Sequence, residues 1–257
     1  MQVESVLSLI RGLKNSIAFL TILPVGMDDD GIDQAASFMA LFPLIGAIIG
    51  LVVGVAVWLL ERILPQLVSA ILGLGLLLLI NGAQHVDGLL DFGDGLMFHG
   101  SKSGKLKVMR DPTTGAGGFA LGFVVLLATV FSIAALPSAQ VVLSITVSEA
   151  SAMFAMVLAT ATGKSAHKGM NTIFVEAMHR QRGLLLSLSY VIVLAVSLLA
   201  LKSTGLLLVV GATFTALAMV SVSNRNFGGL TGDVLGATNE IARAVSLLLV
   251  LVFLKWV

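Results

Sequence analysis

The sequence has 257 residues, of which 57% are hydrophobic and only 11% are charged, and its formal net charge is +1. A water-soluble domain carries roughly a quarter charged residues and about half apolar ones. A soluble core cannot hide this much apolar surface, so the composition predicts a protein embedded in lipid. The small net charge gives no reason to expect a nucleic-acid partner. Because Cys is absent, disulfides, thiolate nucleophiles and Cys-ligated metals are excluded.

Seven apolar segments are candidate transmembrane helices, since a helix needs about 20 predominantly apolar residues to cross a bilayer. Their continuous apolar character is typical of helices and not of β-barrel strands. The sequence therefore predicts an all-α polytopic membrane protein with six or seven transmembrane helices, in a single integral membrane domain over residues 1–257. The segments are Ser37–Leu60, Gln66–Ala83, Gly117–Leu136, Val141–Ala161, Leu184–Leu201, Gly205–Val222 and, shortest, Ile241–Val257.

Two further patterns concern the amino-terminal part of the chain. A row of small residues on the first span, Gly46, Gly50 and Gly54, favours close packing against another helix. Before that span, apolar residues recur at helical spacing, which predicts an amphipathic helix at the lipid interface. The members of this stripe are Val3, Val6, Leu7, Ile10, Leu13 and Ile17.

Lys and Arg residues are divided unequally between the two sides of the predicted bundle. One side holds the amino terminus and the connections after the second, fourth and sixth spans. Of the 15 Lys and Arg residues, 12 lie on this side, Arg243 among them, and the other side keeps only Arg62, Lys202 and Lys255. Such an excess marks the cytoplasmic side. The four His residues and the acidic motifs described next lie on the same side. The sequence thus predicts a multi-pass protein of the cytoplasmic membrane whose active site faces the cytoplasm.

The run from His85 to Gly95 contains three acids, Asp87, Asp91 and Asp94. Their spacing of i, i+4, i+7 places them on one stripe of a helix. Carboxylates this close repel each other unless a cation lies between them. Oxygen-only ligands predict Mg²⁺, and the interleaved glycines predict that a substrate approaches the metal closely. The alternative is an acidic helix end at the membrane surface.

A second motif follows at Met109–Gly118. Asp111 before Pro112 predicts an N-cap that opens the next helix. Arg110 and the glycine-rich helix start predict a phosphate-binding site, because both present N–H donors to anions. Capping alone would account for Asp111 and Pro112, but not for the Arg and the glycines beside them.

The third motif, Gly228–Glu240, again embeds an acid among glycines just before a span. It contains Thr231, Asp233, Asn239 and Glu240. Asp233 and Glu240 are seven residues apart and share a helix face. A plain loop-to-helix junction is the alternative.

Two features are more ambiguous. The loop 164–182, with Lys164, Lys168 and Asn171, is basic, and positive-inside charge explains it as well as substrate binding does. Glu149 lies within a predicted span, where a carboxylate is a functional candidate by default unless it caps a neighbouring helix or reaches the interface.

The three motifs resemble those of the cobalamin synthase family, adenosylcobinamide-GDP ribazoletransferase. The family's His-x-Asp-Gly-x-x-Asp-x-x-Asp-Gly run is matched at residues 85–95. Its Met-Arg/Lys-Asp-Ser/Pro-x-x-Gly run is matched at residues 109–115, and its Gly-Gly-x-Thr-Gly-Asp-x-Leu-Gly-Ala run at residues 228–237. The segments that begin at Phe19 and Phe42 also resemble the family, and the segment around Gly169, Asn171 and Phe174 does so loosely.

The resemblance implies a transferase that completes the nucleotide loop of cobalamin. The ribose 3′-hydroxyl of α-ribazole, or of its 5′-phosphate, attacks the cobinamide-side phosphorus of adenosylcobinamide-GDP, and GMP leaves. The resemblance implies Mg²⁺ on the pyrophosphate and catalytic roles for His85 and Arg110. Metal ligands with catalytic roles would be Asp87, Asp91, Asp94 and Asp233; substrate would be bound by Asp111, Thr231, Asn239, Glu240, Lys164, Lys168 and Asn171.

Three rival functions differ in their sequence requirements. A CDP-alcohol phosphotransferase needs Asp-Gly-x-x-Ala-Arg, but Asp91-Phe92 occupies the Ala-Arg place. A membrane prenyltransferase normally uses two widely separated Asp pairs. A transporter predicts polar residues at the bilayer midplane and on both sides. The expected partners are the two small-molecule substrates and membrane lipid, and whether the chain forms a homo-oligomer is left open.

Overall fold

The structure is a computed structural model that describes residues 2–256, with side-chain burial for residues 6–255. Met1, Val257 and the side chain of Val3, which belong to predicted elements, lie outside the described residues. The described part of the chain is helical apart from turns and one isolated β-bridge. Its helices are α1 Gln2–Leu20, α2 Gly31–Ser37, a 3₁₀ turn Met39–Leu41, α3 Phe42–Leu60, α4 Gln66–Ile80, α5 Gln84–Met97, α6 Lys102–Val108, α7 Ala116–Ala135, α8 Val141–Thr162, α9 Met170–Arg180, α10 Arg182–Asn226 and α11 Gly232–Trp256.

The helices confirm the predicted all-α, multi-pass fold. Within the described residues, five helices are long and apolar enough to cross a membrane, and the bent pair α4–α5 adds a sixth if it counts as one span. The longest, α10, is two limbs that fold back on each other, because Lys202 has non-helical dihedral angles (φ 52°, ψ −132°). The hydroxyls of Tyr190 and Thr213, one on each limb, lie 3.4 Å apart. The two limbs correspond to the predicted spans 184–201 and 205–222.

Two predicted boundaries are wrong. The second span was predicted to reach Ala83, but α4 ends at Ile80 and the chain turns by 95° into α5. Gly82 and Ala83 adopt left-handed backbone conformations at this turn (φ 62° and 57°). The last span was predicted to start at Ile241, whereas α11 starts at Gly232. The first turns of α11 contain polar residues, so the sequence did not indicate a span there, but most of these residues are buried against neighbouring helices.

The glycine row on α3 packs as predicted. Its partner is α8, the most buried of the spanning helices. A Cβ atom added at Gly46 would lie 2.6 Å from the carbonyl oxygen of Glu149, and one at Gly50 would lie 2.8 Å from that of Ile145. Contacts this short between backbones exclude any side chain, so glycine is required at both positions.

As the sequence predicted, the short connections lie at one end of the bundle and the loops that carry the motifs lie at the other. At one end, Gln140, the Lys202 turn and Leu254 line one shallow groove, so the short connections gather there. At the other end, Leu230 pairs through backbone hydrogen bonds with Lys164 and Ala166 (2.7 and 2.8 Å). The motif-bearing loops therefore meet at a single end, called the site end below.

A polar clasp holds α1 against the site end. Asp28 accepts hydrogen bonds from Lys14 Nζ (2.5 Å), Asn15 Nδ2 (2.9 Å) and Arg11 Nε (2.9 Å). These donors, the Lys14 hydrogen bond first, hold the pKa of the Asp28 carboxyl well below its usual range. The clasp fixes the second half of α1, while Leu7 and other apolar residues of its first half are exposed.

Replacing Gly50 with Ala tests the α3–α8 contact. We expect a loss of about 1–3 kcal/mol in unfolding free energy, because the added methyl group is forced against the backbone of α8. Thermal unfolding in detergent measures the effect. Gly75→Ala is the matched control, since a methyl group there meets no atom of another element within 4 Å. Equal melting temperatures for the two variants would contradict the prediction.

Candidate active site

The acidic run forms helix α5, as the spacing of its aspartates predicted, and this helix lies between α7 and α11. A Cβ at Gly88 would lie 2.9 Å from Cα of Asp233, and one at Gly93 would lie 2.9 Å from Cα of Gly118. The glycines were predicted to make room for a substrate. Instead, they let the backbones of three helices touch, because no side chain separates them.

Asp94 joins α5 to the start of α7. Its two carboxylate oxygens accept hydrogen bonds from the backbone N–H groups of Gly115 (2.7 Å) and Gly118 (2.8 Å). The first-turn N–H groups of a helix have no partner within the helix, so a carboxylate there is stabilised by hydrogen bonds and by the helix dipole. Asp94 therefore occupies the N–H groups that were predicted to bind a phosphate.

Asp111 does not cap the next helix, contrary to the prediction. Helix α7 begins at Ala116 with Gly115 at its N-cap. The Asp111 carboxylate instead accepts hydrogen bonds from the N–H (3.0 Å) and hydroxyl (2.5 Å) of Thr113. These bonds lower the pKa of Asp111. Asp side chains compete in this way with helical capping when a hydroxyl residue follows two positions later.

Four carboxylates form an acidic patch at the site end, defined here as Asp87, Asp91, Asp94 and Asp233. The negative charges of Asp233, Asp87 and Asp94 all act on Asp91. Asp233 in turn lies within electrostatic range of the Asp87 carboxylate, the His167 ring and the Arg110 guanidinium. The structure thus brings together residues of all three motifs. Among the described residues, no three acids or histidines converge closely enough to hold one metal ion between them.

Thr231 and Asn171 order the loop that precedes α11. Thr231 accepts a hydrogen bond from the N–H of Val234 (3.2 Å) and its hydroxyl contacts the Asp233 carboxylate (3.2 Å), so it caps α11. Asn171, on α9, donates to the carbonyl of Leu230 (2.7 Å). Both side chains are buried, and both were predicted to bind substrate. The side chains of Lys164 and Lys168 are exposed beside this loop.

A buried ion network lies deeper in the bundle, between α8 and α11. Arg243 pairs with both Glu149 and Glu240, and its Nη2 also donates to Asn239 Oδ1 (2.8 Å). All four side chains are at most 1% exposed. Arg243 was predicted to be a cytoplasmic charge, which is wrong, and Glu149 caps no helix. Glu240 and Asn239, predicted to contact substrate, have the Arg243 guanidinium as their partner.

An apolar cavity of about 180 Å³ opens beside the acidic patch. It is lined by His85 from α5 and by three phenylalanines, Phe19, Phe42 and Phe174, from three other elements. None of these phenylalanines was predicted to belong to a site. The available signal was the family resemblance of the segments that contain them, since residues brought together from α1, α3 and α9 share no local spacing.

Comparison with known proteins identifies the family of this chain. Residues 12–251 match the family described as Cobalamin-5-phosphate synthase. The chain belongs to this family. The resemblance drawn from the three motifs is thereby confirmed, and the match also covers the phenylalanine-bearing segments.

Curated relatives are similar over almost their whole length, and those named here are each called Adenosylcobinamide-GDP ribazoletransferase. The protein from Methanocella arvoryzae is 35% identical over 93% of this chain and 95% of its own length. The protein from Methanococcoides burtonii is 31% identical over 93% and 91%, and that from Thermococcus kodakarensis is 34% identical over 95% and 99%. No solved structure matches the chain.

Replacing Arg243 with Met tests the buried ion network. We expect a loss of about 3–5 kcal/mol, because two carboxylates would remain buried without a counter-charge. Thermal unfolding of the detergent-solubilised protein measures it, and Arg225→Met, at an exposed position of α10, is the control. Adding Glu149→Gln and Glu240→Gln to the Arg243 variant should restore much of the loss. A single variant as stable as wild type would show that the network contributes little.

Proposed function

We propose that this protein is an adenosylcobinamide-GDP ribazoletransferase that performs the final assembly of the cobalamin nucleotide loop. The observation that carries the proposal is the convergence of the three family motifs at one end of the bundle, where Asp233 lies within electrostatic range of Asp87, Asp91 and Arg110. Family membership and the names of the relatives support the same activity.

The reaction is a displacement at phosphorus. A ribose hydroxyl oxygen of α-ribazole, or of its 5′-phosphate, forms a bond to the cobinamide-side phosphorus of adenosylcobinamide-GDP. The bond from this phosphorus to the bridging oxygen breaks, GMP leaves with that oxygen, and the hydroxyl proton passes to a carboxylate. Asp87 and Asp91 suit this role better than Asp94, whose oxygens already accept two backbone hydrogen bonds. The exposed Arg110 guanidinium would neutralise phosphate charge.

Mg²⁺ is the metal that we propose for this site. A patch of carboxylates with little compensating charge attracts a cation, and oxygen ligands favour Mg²⁺. Mg²⁺ usually takes one or two carboxylates and completes its shell with water and substrate phosphates, so it does not require three converging side chains. One or two of Asp87, Asp91 and Asp233 would hold it, and it would supply charge neutralisation at the pyrophosphate.

We also propose that the site end faces the cytoplasm and that α1 rests on the membrane surface. Eleven cationic side chains remain on the predicted cytoplasmic side after Arg243 is removed from the count, against three on the other side. The exposed apolar residues Val6, Leu7 and Ile10 of α1 suit the acyl–headgroup boundary.

A transporter is disfavoured by the surroundings of the buried charges. A transport pathway needs polar groups that line a hydrated passage across the membrane. Glu149, Glu240 and Arg243 do lie within the spanning helices, but they pair with one another and are at most 1% exposed. No observation therefore favours transport over transferase chemistry.

The decisive assay supplies purified membranes with adenosylcobinamide-GDP, α-ribazole and Mg²⁺ and measures cobalamin and GMP by liquid chromatography. We expect both products in equal amounts from the wild type. In Asp87→Asn and Asp91→Asn, we expect kcat to fall about 100-fold or more, because charge stabilisation and proton transfer are both impaired. The control is Asp29→Asn, an exposed acid in the loop before α2. Wild-type protein that forms no product, or undiminished turnover in both variants, would refute the proposal.

Metal dependence is a separate prediction. Chelation with EDTA should abolish turnover, and excess Mg²⁺ should restore it, because the pyrophosphate charge is otherwise uncompensated. Mn²⁺ binding, measured by electron paramagnetic resonance without substrate, should weaken about tenfold or more in Asp87→Asn. Turnover that survives EDTA, or Mn²⁺ binding that is equal in wild type and variant, would argue against a metal at the acidic patch.

A further inference from the structure

The phenylalanine cavity, defined by Phe19, Phe42, Phe174 and His85, is large enough for a small aromatic ligand. Its volume is about 180 Å³, and a cavity of about 150 Å³ in another protein binds benzene. The ring centroids of Phe19 and Phe174 are 4.7 Å apart, and both rings lie 6.3 Å from that of Phe42. A corrin ring is far too large for this space, so the cavity suits one or two fused rings.

The polar groups of the cavity further restrict the ligand. Thr160 already donates its hydroxyl to the carbonyl of Met156, and Asn171 donates to Leu230 and to Ser165. The imidazole of His85 is 7% exposed, and its Nδ1 is buried without a hydrogen-bond partner. Buried polar side chains are nearly always hydrogen-bonded in folded proteins, so the His85 ring, which lines the cavity and makes no hydrogen bond with the described residues, lacks a partner.

A purine base fits this lining poorly. Guanine carries several ring and exocyclic groups that need hydrogen bonds, and burying them unpaired is unfavourable. Among the lining side chains, His85 and the exposed Gln84 make no hydrogen bond with the described residues, and the rest of the surface consists largely of aromatic rings and methionine side chains that suit an alkylated aromatic ligand. The lining therefore matches a flat bicyclic base with methyl groups and a single accepting nitrogen.

We propose that the phenylalanine cavity binds the dimethylbenzimidazole base of α-ribazole, with the His85 imidazole donating a hydrogen bond to the unsubstituted ring nitrogen. This inference rests on the proposed function and adds where, and through which contacts, the nucleoside is selected. The position of the cavity supports it, since Gly232 and Gly236 in its wall flank Asp233 of the acidic patch. A base held there places its ribose toward the carboxylates.

The size of the cavity can be changed at its rim. Met170 lines the cavity and is 56% exposed, so a larger side chain there is tolerated by the fold. We expect Met170→Trp to raise KM for α-ribazole about tenfold while KM for adenosylcobinamide-GDP stays within about twofold, since one excess group in an apolar pocket has an effect of this order. Met170→Leu, which keeps the volume, is the matched control. For the wild type, we expect kcat/KM to be about tenfold lower with the riboside of unmethylated benzimidazole than with α-ribazole.

His85 distinguishes base recognition from acid–base chemistry. His85→Leu should raise KM for α-ribazole roughly five- to tenfold with kcat nearly unchanged, and His85→Gln, which restores a donor, should recover part of it. Isothermal titration calorimetry, which needs no turnover, should show that His85→Leu also binds free dimethylbenzimidazole more weakly than the wild type does.

The outcomes separate this inference from the proposed function. A wild type that makes cobalamin, together with an unchanged KM for α-ribazole in Met170→Trp and His85→Leu, would place the base elsewhere and leave the transferase activity standing. A fall in kcat alone in His85→Leu would make His85 a catalytic residue and overturn its assignment to the base. A wild type without turnover would refute both the activity and the inference.

Discussion

Direct contact between helix backbones holds α5 between α7 and α11, and the positions of the charged groups at the site depend on it. Gly88 touches the backbone of Asp233, and Gly93 touches that of Gly118. Any side chain at these glycines would push the helices apart and move Asp87 and Asp91 away from Asp233. The carboxylates repel one another, so they do not draw the helices together. The packing energy of the apolar faces, gained at close range, must hold them in place.

Charged side chains are stabilised differently at the site end and in the interior of the bundle. At the site end, the carboxylates are at least partly exposed, and water and mobile ions screen their repulsion. Deeper in the bundle, where neither is available, Arg243 is enclosed by Glu149, Glu240 and Asn239, and each of its three guanidinium nitrogens donates to an oxygen. Burial of these charges is tolerable only because they are mutually paired. The network joins α8 to α11 and thereby fixes the helix that carries Asp233.

Features that depend on local spacing were predictable, and features that depend on distant pairing were not. Continuous apolar runs predicted the spanning helices, and the i, i+4, i+7 aspartates predicted the stripe on α5, because helix period is a local property. Nothing local links Glu149 to Arg243, 94 residues later, or Asp94 to Gly115 and Gly118. The cavity was missed for the same reason. Asp111 shows a different failure, since a local hydrogen bond to Thr113 prevailed over helix capping.

The bond between Asp94 and the start of α7 has a consequence for anion selectivity. A helix start binds free phosphate or sulfate because its N–H groups lack partners. Here, the Asp94 carboxylate, which belongs to the same chain, already fills that place, so a dissolved anion must compete with a group that the fold holds in position. Inorganic anions are thus kept from the N–H groups of Gly115 and Gly118 while α5 is docked. In the proposed reaction, recognition of the pyrophosphate would therefore fall to side chains such as the exposed Arg110 and not to these N–H groups.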